Sequence, residues 1–152
     1  MSNVGTQREN TTLLFDLWVV ANSTRALLDH ALHSTGLTAE EFALYSAIRR
    51  SVGGVTPSQL AEIMGLAPTT ISSVVSRLES RDHICRVPNP KDARSYRVEL
   101  TAEGRAAHLA AGNIFMPILQ AVEAHLGQST EEVRDALGAL RAAIGAAGDM
   151  SG

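Results

Sequence analysis

The sequence predicts a mainly α-helical chain carrying one small β-hairpin. Three observations predict it. Ala- and Leu-rich stretches recur with helical spacing in a chain that is 45% hydrophobic but only 4% aromatic. The period changes to alternation in one place, around residues 83–100, about a loop rich in Pro, Asn and Asp. At 152 residues the chain has the size of one compact domain, residues 1–152, with one core expected.

Residues 1–10 are polar without a periodic pattern and are expected to fray. From about Thr11 to Ser34, apolar residues at Leu13, Leu14, Leu17, Trp18, Ala21, Leu28, Ala31 and Leu32 predict a long helix with a broad apolar stripe, ended by Gly36. Thr38 with Glu41 makes a capping-box pattern ahead of Phe42, Tyr45 and Ile48. A second helix should therefore run to about Arg50, where Gly53-Gly54 breaks it.

Thr56-Pro57-Ser58-Gln59 is a further helix start, with Pro57 at the first helical position, where its missing N–H costs nothing. Leu60, Ala61, Ile63 and Met64 should form the buried face of this short helix, and Gly65 its left-handed end. Pro68 opens the next helix after only three residues, with Ile71, Val74, Val75 and Leu78 as its buried stripe.

His83–Val87 and Ser95–Leu100 alternate as strands around the polar loop Pro88–Arg94, an antiparallel hairpin. Thr101 caps a long helix to about Leu126, which Pro117 should kink or interrupt. Ser129 with Glu132 caps the last helix, expected to be buried along Val133, Leu137, Leu140 and Ile144.

Two helices meeting at a tight Gly-containing turn, the second followed at once by a hairpin, make a winged helix-turn-helix. Its second helix would leave Thr69, Thr70, Ser72, Ser73, Ser76, Arg77, Ser80 and Arg81 facing outward. Short hydroxylated side chains permit close approach to DNA, and Arg77 and Arg81 can reach phosphates. The hairpin carries Arg86, Lys91, Arg94 and Arg97; an arginine at its tip can enter a narrow minor groove, and Asp92 could hold Arg94 in position. Without the neighbouring arginine, Asp92 would read as an ordinary turn residue. The formal charge of -3 argues against an indiscriminate binder, but residues 68–105, with seven basic and five acidic groups, are the only positive part.

Leu60-Ala61 through Leu78, then Asp92-Ala93-Arg94-Ser95, then Val98-Glu99-Leu100-Thr101-Ala102-Glu103-Gly104, resemble the MarR family of bacterial regulators, whose wing and following helix read D-x-R-S…V-x-L-T-x-x-G. The resemblance is strong over residues 38–105. It implies a DNA-binding lobe there, with residues 11–34 and 105–147 as dimerisation helices that interlock in an obligate homodimer. It also implies that the helix after Pro68 enters the major groove and the wing the minor groove, with Arg94 as minor-groove residue and Asp92 as its orienting partner. The surplus of apolar faces at the two ends independently suggests a dimer. A C2 dimer reads a pseudo-palindrome in double-stranded DNA, with half-sites on the order of 34 Å apart. The resulting reading is a sequence-specific regulator, a repressor relieved by a small molecule; the alternative is a winged protein-interaction or small-molecule module without DNA binding.

Trp18, Asn22, Arg25, Phe42 and Tyr45, with Phe115, are candidates to line a cleft for a small aromatic or phenolic anion, although aromatic residues at helical spacing more often pack as core. His30 and His33 beside Asp29 lack the remaining pattern of a metal site, and no cofactor is expected. The single cysteine, Cys85, reads as structural, with redox sensing a minor alternative. No catalytic arrangement is recognised, so an enzyme is not expected. With one cysteine, no leader pattern and no apolar run approaching roughly 20 residues, a soluble cytoplasmic protein without membrane contact is expected.

Overall fold

The computed structural model describes residues 11–150; the expectation for residues 1–10 lies outside them. The element order is α1 (Leu13–Leu32), a turn of 3-10 helix (His33–Thr35), α2 (Ala39–Arg50), α3 (Pro57–Met64), α4 (Pro68–Ser80), β1 (Ile84–Pro88), β2 (Tyr96–Leu100), α5 (Ala102–Ala124) and α6 (Thr130–Asp149). Two compact units divide between Phe115 and Met116, inside α5.

In the first unit, the helix boundaries follow local chemistry. Thr12, Thr38 and Thr56 accept from the third backbone N–H of α1, α2 and α3, and both expected capping boxes form. Gly65 closes α3 at φ 63°, a conformation that costs glycine little and other residues more. Around these ends α2, α3 and α4 converge on one core. Leu44, Tyr45, Leu60, Ile71, Val75 and Leu78 are wholly enclosed, together with Leu32 from the end of α1. All four residues of the expected α4 stripe are buried. Each such side chain contributes about 1.5–3 kcal/mol relative to exposure.

The hairpin is antiparallel, with Ile84 opposite Leu100 and Arg86 opposite Val98, and it turns Ile84, Val98 and Leu100 onto the core. A third, one-residue strand joins it: Val55 and Val98 exchange both backbone bonds, at 3.2 and 2.8 Å. A single residue offers no alternation to read, which is why the sequence does not announce it.

The base of the wing is fastened to α5. The Thr101 N–H donates to the His83 carbonyl at 3.1 Å, its hydroxyl donates to the Asp82 carbonyl, and its Oγ1 accepts from the Gly104 N–H at 3.0 Å. Gly104 packs so closely that a Cβ there would stand 1.9 Å from the His83 carbonyl oxygen. The T-x-x-G pattern is thus a helix cap joined to a close backbone crossing. Asp82, at φ 58°, makes the turn just before.

Two expectations fail within the first unit. Ile63 is not part of the α3 core face but remains 46% exposed, because it lines an open cavity with Met64. On α1 only Leu32 is buried; Leu13, Leu14 and Trp18 are 59%, 64% and 68% exposed, since among the described residues of the first unit no element covers this stripe. Pro117 does not interrupt α5, which continues to Ala124; losing one backbone donor in so long a helix leaves the neighbouring turns bonded.

In the second unit, α6 begins with the expected Ser129–Glu132 capping box. Its bonds to Ser129 hold the Glu132 carboxyl below the usual range. The expected burial along the helix is not found. Val133 and Leu140 are half-buried and Leu137 and Ile144 are each 51% exposed, because among the described residues of this unit nothing covers the stripe. No helix among the described residues is long and apolar enough to cross a membrane.

Candidate nucleic-acid interface

The outer face of α4 is built by subtraction. With Ile71, Val74, Val75 and Leu78 turned into the core, the helical period leaves Thr69, Ser72, Ser73, Ser76, Arg77 and Ser80 exposed, with Thr70 half-buried at the edge. Ser80 spends its hydroxyl on the Arg77 carbonyl at 2.7 Å. The helix starts at Ala67, which has no capping side chain, so the orphan N–H groups of its first turn stay available to an acceptor such as a phosphate.

The wing tip is stiffened by side chains that bond to its own backbone and to each other. The Asn89 carboxamide oxygen accepts from the Lys91 N–H at 3.1 Å, and the Asp92 carboxylate accepts from the Arg94 N–H at 2.9 Å. The Asn89 amide also donates to Ser95 Oγ at 2.7 Å. Asp92 therefore acts on the Arg94 backbone, as a turn residue does, and sets the direction of the loop at Arg94 by that route. Lys91, Asp92 and Arg94 are all exposed, and Lys91 is the only lysine in the chain.

The other cations of this region are committed within the fold. Arg86 pairs with Glu79 of α4 at 2.9 Å and lies 4.5 Å over the Tyr96 ring, tying wing to helix. Arg97 donates to the Gly53 carbonyl at 3.0 Å. Arg77 and Arg81 both reach Glu41, at 2.9 and 3.3 Å. Glu41 is 1% exposed and accepts from the Thr38 N–H as well, at 3.1 Å. The capping box accounted for Glu41 in the sequence, so nothing there marked it as the carboxylate beneath α4; the four-residue spacing of Arg77 and Arg81 was the available signal.

The five candidate effector residues do not converge. Trp18 is exposed and its carbonyl accepts from the Asn22 side chain at 2.8 Å. Arg25 lines a cavity of about 410 Å³ with Thr24, Leu28, Glu40 and Leu66. Phe42 lines a second one, of about 460 Å³, with Leu28, Ser46, Arg50, Ile63 and Phe115. Tyr45 is enclosed in the core with its hydroxyl bonded to His83 Nδ1; burial, then the Glu41 charge, pushes it up to about 12, so it stays protonated.

His108 stacks on Phe42 with ring centroids 5.2 Å apart. Ser46 gives its hydroxyl proton to the Phe42 carbonyl and so accepts from His108 Nε2, while Arg49, which can only donate, lies 3.4 Å from Nδ1. This fixes a neutral Nε2–H ring, and burial, then Arg49 and Arg50, hold its pKa below the ordinary value. Asp29 accepts from the Ala39 N–H at 2.6 Å, and His30 and His33 are exposed. Among the described residues no group of three or more His, Cys, Asp or Glu could hold a metal ion. Cys85 is exposed on β1, opposite Glu99.

A short helix packed across α3 beside a tight left-handed turn, an exposed hydroxyl face and a stiffened two-stranded wing define a winged helix-turn-helix protein. The family model described as "MarR family" matches residues 35–95. Over 95 residues the chain is 28% identical to the transcriptional activatory protein BadR of Rhodopseudomonas palustris, covering 61% of this chain and 54% of that one. Over 90 residues it is 30% identical to the multiple antibiotic resistance protein MarR of Salmonella typhimurium, covering 59% and 62%. The chain thus spans little more than half the length of these curated relatives. The M. tuberculosis transcriptional regulator MOSR, solved in complex with DNA, is similar over 90% of this chain and 98% of its own, with a TM-score of 0.79 and 28% identity. In sequence over residues 35–95, and in fold, the chain is thus similar to the MarR family of regulators.

Proposed function

We propose that this protein is a DNA-binding transcriptional regulator, a homodimeric repressor that reads a pseudo-palindromic operator. The observation that carries the reading is the exposed row Thr69, Ser72, Ser73 and Ser76 on the face of α4 opposite its four buried residues. Those hydroxyls, with Thr70 at their edge, meet base edges and phosphates in the major groove. Lys91 and Arg94, on the tip braced by Asp92, approach the minor groove. Arg77 and Arg81 add phosphate contacts through the N–H groups that Glu41 leaves unused.

The dimer is supported by the exposed apolar residues on α1 and on α6, which a second copy would cover. Relief by a small aromatic or phenolic anion is supported by the cavity lined by Phe42, Phe115 and Arg50, apolar walls with one cation. The reading assigns no catalysis, and a cytoplasmic location follows from a chromosomal target.

Genomic fragments retained by the purified protein test the reading. The expected product is a short pseudo-palindrome whose capture weakens with salt. Arg94→Ala should weaken capture and flatten A·T preference at the flanks, by about tenfold for a contact worth 1–3 kcal/mol. Retention of random fragments, or of none, would overturn it.

A further inference from the structure

We infer that Glu41 is a positioning residue for DNA recognition: it touches no DNA, and it aims Arg77 and Arg81 from beneath the recognition helix. The inference rests on the DNA-binding reading above. Arg77 and Arg81 stand four residues apart at the end of α4, one turn of helix and the same face. Each commits one nitrogen to Glu41, Arg77 through Nε and Arg81 through Nη1. Their side chains remain 43% and 40% exposed, against 1% for the carboxylate. A guanidinium has five N–H groups in a rigid plane, so fixing one fixes the direction of the others.

The two oxygens of Glu41 are used separately. Oε1 accepts from Arg77, while Oε2 accepts from Arg81 and from the Thr38 N–H. Arg77 Nη2 also lies 3.9 Å from Glu40. Asp29 accepts from the adjoining Ala39 N–H, so one polar chain runs from α1 through the start of α2 to the end of α4. A glutamine at 41 can still serve the capping box, but its amide has one acceptor oxygen where the carboxylate has two, and one arginine is released.

Charge and positioning predict opposite signs for that substitution. Removing a negative charge close to the phosphates should tighten binding to any duplex. Losing the aim of the arginines should instead weaken the operator relative to a scrambled duplex.

The test measures both affinities, at two salt concentrations, for wild type, Glu41→Gln and Arg81→Lys, with thermal melts alongside. The expected result is a loss of about tenfold in the operator-to-scrambled ratio for both variants, the order of one recognition contact, with scrambled-duplex binding of Glu41→Gln unchanged or tighter. A stability role alone would lower the melting temperature and leave the ratio of the folded protein intact. An unchanged ratio in folded Glu41→Gln overturns the inference. If Glu41→Gln does not fold, Arg81→Lys decides: a lost ratio supports the inference and a kept one overturns it. A wild type that fails to discriminate operator from scrambled duplex refutes the DNA-binding reading instead.

Discussion

Helices α4 and α6 carry the same kind of apolar stripe, and the fold treats them differently. On α4, Ile71, Val74, Val75 and Leu78 are all buried. On α6, Val133, Leu137, Leu140 and Ile144 follow the same spacing and none is buried. Periodicity identifies which side of a helix avoids water, but not whether its cover comes from the same chain. For α4 the cover is α2, α3 and the wing; for α6 a second molecule is the proposed cover.

The most severe way to break the contrast is truncation at matched positions. Leu78→Ala should cost about 2–5 kcal/mol, transfer plus cavity, in denaturant unfolding. Leu137→Ala, on a half-exposed site, should cost well under half of that; equal costs would mean that α6 is as fully covered as α4. Next, Leu137→Asp with Ile144→Asp should change the sedimenting mass from dimer to monomer while the far-UV helical signal remains. A mass that stays dimeric would remove the α6 stripe from the interface.

Acid should separate the regions more gently. Both His108 and Glu132 have pKa values lowered in the fold, so each contributes fully above its unfolded value and loses that contribution as pH falls through its folded value. For His108, whose ordinary value is near 6.5, melting temperature should begin to fall as pH drops below about 6.5, and His108→Gln should flatten that slope. For Glu132 the decline belongs below its ordinary 4.5. A pH 5–7 slope that survives in His108→Gln would assign it to another group.

The smallest effect concerns Gly138, which has no atoms within 4 Å of a built Cβ and sits off the α6 stripe. Gly138→Ala should stabilise by up to about 1 kcal/mol through helix propensity. Destabilisation in the thermal melt would reveal a neighbour packed against that side as well.

Much of this arrangement was legible in the sequence, because it is written in local chemistry. Thr-x-x-Glu and Thr-x-x-Gln marked helix starts, Gly65 a helix end, and the change of period at His83 the wing, whose strand ends differ from expectation by one residue each: β1 loses His83 and gains Pro88, and Ser95 stays outside β2. The outward face of α4 followed from its buried stripe. What could not be read depends on contacts distant in sequence. Glu41 looked complete as a cap, yet its oxygens meet residues 36 and 40 positions away. The bridge at Val55 and the crossing of Gly104 over His83 are likewise set by tertiary approach. Of the five cleft candidates, Trp18, Phe42 and Tyr45 were chosen for helical spacing and aromatic character, which do not decide whether a ring faces core, cavity or solvent.

The solitary lysine on the wing has a practical corollary. Apart from the terminal α-amine, an amine-selective reagent meets one target in this chain, Lys91, in a turn whose backbone is pinned by Asn89 and Asp92. A single fluorophore installed there, without any engineered cysteine, would sit at the tip of the wing and convert its approach to a duplex into a change of emission.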